Sequence, residues 1–151
     1  MLKLTLIEFF LRIIPEMFII IWGVHVLARK SIDMPKYIFS SILLSILTFF
    51  VRCLPIYLGI HTIINIVLIV CIMTMIDIPL KKAIYSNLLI TFMLSLSEFL
   101  NIMVLRLMNI NENINNLSPL IKCIYGVPSL IFISLFIVVI KYLLKIKETE
   151  K

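Results

Sequence analysis

A chain of 151 residues with 62% hydrophobic and 15% charged side chains, at a mean hydropathy of +1.17, excludes a water-soluble fold, because a soluble domain carries about 25% charged residues and needs them for its shell. The net charge of +6 would point to nucleic acid in a soluble protein. Here the basic residues stand between long apolar runs, which is the distribution of a membrane protein, and no nucleic-acid partner is expected. The expected fold is all-α, a polytopic transmembrane helical bundle of about five spans in a single domain over residues 1–151, multi-pass in the cell membrane with the bilayer as its main partner.

The first span is expected over 4–28. Acidic Glu8 and Glu16 interrupt it, and no small-residue cleavage site precedes the basic loop, so it does not read as a cleaved signal peptide. Glu8, Arg12 and Glu16 are four residues apart; a regular α-helix stacks them as carboxylate, guanidinium and carboxylate, with each acid able to pair with Arg12. The turn from Arg29 to Lys36, with Pro35, leads to a second span over 37–54. A turn from Arg52 to Gly59, with Pro55, precedes a third span over 60–76, short enough to be tilted or re-entrant.

The turn from Asp77 to Lys82, with Pro79, opens a fourth span over 83–105. In it Asn87, Thr91, Ser95 and Glu98 follow at intervals of four, four and three, with Asn101 one turn further, and this face is expected to point into the bundle. The Asn-rich stretch 109–116 and Pro119 precede the fifth span, 123–144, and the tail 145–151. Proline and asparagine do not continue a helix cheaply, so these breaks read as turns. Pro15 and Pro128 fall inside or near spans, where each removes a hydrogen bond and frees a carbonyl that can face a cavity. Trp22 and most of the tyrosines (Tyr37, Tyr57, Tyr85, Tyr125 and Tyr142) lie near predicted span ends and read as interfacial anchors.

Five spans collect Arg29, Lys30, Lys36, Lys81, Lys82, Lys141, Lys145, Lys147 and Lys151 on one side, against Lys3, Arg52, Arg106 and Lys122 on the other. Positive charge stays in the cytoplasm, so the N-terminus is expected outside and the C-terminus inside. That orientation gathers Arg12, Glu16, Arg52, His61, Glu98 and Asn101 in the outer half of the membrane. They are the candidate ligand-binding residues. The expected site is open to the outside and takes a polar or charged small molecule or peptide, with Arg12 and Arg52 as anion partners and Glu16 and Glu98 as cation or hydrogen-bond partners. The competing reading is that the charges only pair with each other, Arg12 with Glu16 and Arg52 with Glu98, to fix helix register. Glu8 and Arg106 stand near helix ends and read as snorkelling to the headgroups.

Catalysis is not expected, and neither is a cofactor or a metal. No HExxH, CxxC, Walker or GxSxG pattern occurs, and the two histidines, His25 and His61, fall at opposite membrane faces. Cys71 lies within a span. Cys53 and Cys123 are both placed near the outer face, either bridged or as free buried thiols.

The run Arg52-Cys-Leu-Pro-Ile-Tyr-Leu-Gly-Ile-His61, the opening Glu8-Phe-Phe-Leu-Arg-Ile-Ile-Pro-Glu16 and the segment Tyr125-Gly-Val-Pro-Ser129 resemble small membrane proteins of clostridia-type Gram-positive bacteria. Those are similar in turn to the multi-span input regions of histidine kinases of the peptide-pheromone and citrate-sensing kind. The resemblance implies a sensor. Such kinases continue into a dimerisation helix and an ATP-binding domain, which these 151 residues do not contain, so sensing without phosphorylation is expected. The Lys/Glu-rich residues from Lys141 to Lys151 look like the first turns of a connecting helix. The leading expectation is thus a non-enzymatic sensor or regulator that signals to a partner kinase or through a homodimer. Alternatives are a substrate-binding subunit of a membrane transporter, or an assembly factor.

Overall fold

A computed structural model describes residues 9–54, 58–107 and 119–149. Five helices are present among them: α1 over Phe9–Ala28, α2 over Met34–Cys53, α3 over Leu58–Met75, α4 over Leu80–Leu107 and α5 over Pro119–Thr149. The described residues contain no strand. The helices run alternately up and down, and α1 is central, packing against α2, α4 and α5, while α3 bridges α2 and α4.

The bundle is apolar outside as well as in its core, and the polar side chains within the helices are largely turned inward, unlike a soluble protein. Phe39, Phe50, Ile63, Phe92 and Phe99 are exposed, whereas Glu16, His25, Ser41, Ser45, Thr48, Asn87, Ser97 and Asn101 are buried. Only a hydrocarbon solvent makes this arrangement favourable, since it removes the driving force to hide apolar side chains and penalises polar ones facing outward. Four helices are long and apolar enough to cross a membrane. The fifth, α3, has 18 residues, about 27 Å at the α-helical rise, against about 30 Å of hydrocarbon. It nevertheless passes from one end of the bundle to the other, antiparallel to its neighbours, because its C-terminal turn meets the α1–α2 turn. A re-entrant path for α3 is therefore not what forms.

Local chemistry explains the boundaries. Helix α1 opens with a π-helical turn, Phe9–Ile13, and becomes α-helical at Ile14. Pro15 has no N–H to give to the carbonyl four residues back and crowds it, and the wider turn relieves that conflict. At its other end Arg29 adopts a left-handed conformation, φ 52°, and Arg29 and Lys30 return their N–H groups to Val26 and His25. Helix α2 starts from extended Asp33 with Pro35 in its first turn, where a missing N–H costs nothing. After α3 the chain turns through left-handed Asp77, φ 61°, and Pro79.

These two turns are tied together. The Lys30 ammonium donates to the carbonyls of Ile76 (2.7 Å) and Asp77 (2.8 Å), and Lys36 reaches the Asp77 carboxylate at 3.1 Å. Lys82 extends toward the Ala28 carbonyl at 3.5 Å. Carbonyls at a helix C-terminus carry partial negative charge that a lysine satisfies. Lys30, Lys36 and Lys82 thus share one end of the bundle, as the charge count required, and two of them also hold turns closed. Hydrogen bonding and the charges of Lys36 and then Lys30 hold the exposed Asp77 carboxyl below the usual aspartate range.

Close helix approach is set by small residues. On α2, Ser41, Leu44, Ser45 and Thr48 form a buried stripe, and Thr48 lies against the Met17 sulfur at 3.7 Å. Ser41 and Ser45 return their hydroxyls to the carbonyls of Tyr37 and Ser41, so they are satisfied while taking little room. Where α1 crosses α4 and α5, Gly23 does the same: a methyl group there would stand 2.5 Å from Ile90 Cδ1 and 2.9 Å from Ile137 Cδ1.

Candidate functional site

At the bundle end opposite the lysine-tied turns, four charged side chains from three helices meet. Arg52, in the last turn of α2, places Nη2 3.2 and 3.4 Å from the two carboxylate oxygens of Glu16 on α1. Arg12, in the π-helical turn of α1, places Nη2 3.4 Å from Glu98 Oε1 on α4. The two pairs differ in depth. The Glu16 side chain is 4% exposed, whereas Arg12 and Glu98 are 38% and 45% exposed. One pair is a buried strut and the other lies at the surface of the bundle.

The pairing is the opposite of the one the spacing suggests. An i, i+4 stripe predicts Arg12 with Glu16 and leaves Arg52 for Glu98; the structure exchanges the partners. Arg12 lies in the π-helical turn rather than in the regular α-helix that carries Glu16. It faces α4 and α5, and its guanidinium packs over Gly126, where an added methyl group would lie 3.6 Å from Cζ. Glu8, the third member of the predicted stripe, lies outside the described residues.

Asn101, one turn beyond Glu98, is buried and donates from Nδ2 to the Tyr125 carbonyl at 2.8 Å. Pro128 withholds the N–H that would serve the Ile124 carbonyl, and the main-chain oxygen that Asn101 takes up is that of the next residue, Tyr125. The Asn101 Oδ1 is buried without a hydrogen-bond partner.

The remaining predicted residues sort as follows. His61, half-buried in the first turns of α3, stands at the same end of the bundle. The predicted inner face of α4 is only partly right: Asn87 and Asn101 are buried, but Ser95 is exposed. The stripe that faces inward runs through Asn87, Ile90, Leu94, Ser97 and Asn101. Ser95 tolerates lipid because its hydroxyl bonds back to the Thr91 carbonyl at 3.1 Å. The Tyr37 hydroxyl turns inward to the Phe18 carbonyl at 2.8 Å. Tyr85 and Tyr142 are exposed, as anchors would be, and Tyr57 lies outside the described residues. Arg106 is exposed near the end of α4. Cys53 and Cys71 are exposed free thiols, not buried ones, and the Cys123 side chain lies outside the described residues.

Three features escaped the sequence reading: the capping role of Lys30, the buried α2 stripe and the seat of Arg12 on Gly126. The stripe alone had a legible signal, since Ser41-x-x-x-Ser45 is a small-xxx-small pattern. Among the described residues no group of three or more His, Cys, Asp or Glu side chains is arranged to hold a metal. Comparison of the chain with protein-family models, with curated proteins and with solved structures finds no match in any of the three.

Proposed function

We propose that this integral membrane protein is a non-enzymatic ligand-sensing or regulatory unit of the cell membrane, with its N-terminus outside. In this reading the charged layer faces the exterior and the Arg12–Glu98 pair is the point of ligand entry. The supporting observation is the contrast between the two ion pairs. Glu16–Arg52 is buried and held by two contacts, while Arg12–Glu98 is half-exposed and held by one contact of 3.4 Å. A half-exposed pair contributes about 0–1 kcal/mol, so a ligand that satisfies both partners displaces it at small cost. Arg12 sits on α1, which packs against α2, α4 and α5. Exchanging its partner alters how the central helix seats, and the long C-terminal helix α5 carries that movement to the opposite end, where a partner kinase or a second copy would read it. The weak resemblance to sensor-kinase input regions supports the same reading.

A specific observation favours a second reading, an assembly or scaffold role without ligand: every charge of the layer already has a partner within the chain. Two measurements separate the readings. Reporter fusions at Lys151 and cysteine labelling near residue 54 fix the orientation; a C-terminus outside the cell removes the exterior site. Arg12→Leu and Glu98→Gln are then compared in cells for insertion and for signal output. Output lost with insertion unchanged supports the sensor. Changes in stability alone favour the scaffold.

A further inference from the structure

We infer that the Arg12–Glu98 site recognises a free α-amino acid, with the carboxylate on Arg12 and the ammonium shared by Glu98 and Asn101 Oδ1. The inference rests on the ligand-binding reading above and adds the chemical class of the ligand. Three observations carry it.

The first is charge balance. Among the described residues the layer holds two cations and two anions, Arg12, Arg52, Glu16 and Glu98. Its surroundings are apolar, so a ligand with net charge would leave an uncompensated charge at low dielectric. A zwitterion enters without that penalty.

The second is distance. Arg12 and Glu98 stand 3.4 Å apart, so one small molecule can engage both only if its own opposite charges lie close together. Carboxylate and ammonium on a single carbon meet that condition. The termini of an extended peptide do not, because each further residue adds about 3.3–3.6 Å of chain between them.

The third is an unused acceptor. Asn101 is 7% exposed, its Nδ2 is committed to the Tyr125 carbonyl, and its Oδ1 is buried with no hydrogen-bond partner. A buried amide oxygen left without a donor is costly. Asn101 follows Glu98 by three residues on the same helix and therefore on neighbouring positions of one face. Tyr125, which it binds, adjoins Gly126 under the Arg12 guanidinium. A primary ammonium offers three donors, enough for the Glu98 carboxylate and Asn101 Oδ1 together.

The test uses the full chain in nanodiscs of zwitterionic lipid, with thermal stabilisation and calorimetric titration as readouts. The probes are the free α-amino acids, their N-acetyl derivatives, their methyl esters and β-alanine. The expected result is that at least one α-amino acid binds, while its N-acetyl derivative, its ester and β-alanine bind about tenfold or more weakly. Asn101→Leu is expected to weaken binding about ten- to a hundredfold while Asn87→Leu, more than three turns away on α4, leaves the affinity unchanged. Equal binding of the N-acetyl derivative or the ester overturns the amino-acid assignment and leaves a ligand site of another charge type at Arg12–Glu98. Binding that survives Asn101→Leu overturns the role of that side chain. If no probe binds, the amino-acid inference falls. The sensor reading then stands or falls separately, on whether Arg12→Leu abolishes signal output.

Discussion

Removing Arg52 costs more than removing its partner Glu16. The Glu16 side chain is 4% exposed and its two carboxylate oxygens face Arg52 Nη2 at 3.2 and 3.4 Å. Arg52→Leu strands that buried carboxylate without its partner. Breaking a buried pair in this way costs about 3–5 kcal/mol, and the 27% exposure of Arg52 places the expected loss at the lower end, about 3 kcal/mol. Glu16→Gln keeps the volume and leaves the cation on the longer, more accessible side chain, which can extend to water or headgroups. Its expected cost is about 1 kcal/mol. The double variant recovers part of the loss, giving a coupling energy of about 2 kcal/mol. A second cycle over Glu16 and Arg12 is expected to give less than about 0.5 kcal/mol, the value of an exposed pair one turn apart. Both cycles are measured by reversible unfolding in mixed micelles of mild and denaturing detergent. If Glu16 couples more strongly to Arg12 than to Arg52, the charges pair along α1 as in a regular helix, and the exchanged pairing described above is wrong.

Two further perturbations probe the packing and the opposite end of the bundle. Gly23→Ala is expected to cost about 1 kcal/mol, because the atoms it meets are the terminal methyl groups of Ile90 and Ile137. Gly23→Leu forces α1 away from α4 and α5 and costs about 3 kcal/mol; combining Gly23→Ala with Ile90→Val should restore most of the smaller loss in the same unfolding assay. Lys30→Met strips the Ile76 and Asp77 carbonyls of their donor and should lower stability by about 1–2 kcal/mol. The lysine contacts to the Asp77 carboxylate have a defined pH dependence. The carboxyl is held below its ordinary value, so this contribution is fully present above the unfolded aspartate range, about pH 4, and fades as pH falls through the lower folded value. Unfolding midpoints of Asp77→Asn and the parent chain should therefore differ at pH 6 and converge in acid.

Several features were legible because they depend on short-range properties of the chain. Hydropathy over about 20 residues decides whether a segment enters lipid, and backbone satisfaction there demands a helix. The expected spans at 37–54 and 83–105 accordingly fall within a few residues of Met34–Cys53 and Leu80–Leu107. Proline and left-handed turn residues mark the breaks. The gathering of Lys30, Lys36 and Lys82 at one end follows from counting spans, and their shared contacts agree with it.

What tertiary structure alone decided is which polar groups meet. Lipid is as apolar as the helix surfaces, so hydrophobicity does not specify how one span turns toward another. Packing of small residues does, through Gly23 and the Ser41–Thr48 stripe. The i, i+4 rule did not give the partner of Arg12 because it weighs only neighbours along one helix, and not the groups that packing brings against α1 from α2, α4 and α5. That packing sets Arg12 against Glu98 and Gly126 and Glu16 against Arg52, and so separates a buried strut from an accessible pair that no linear spacing distinguishes.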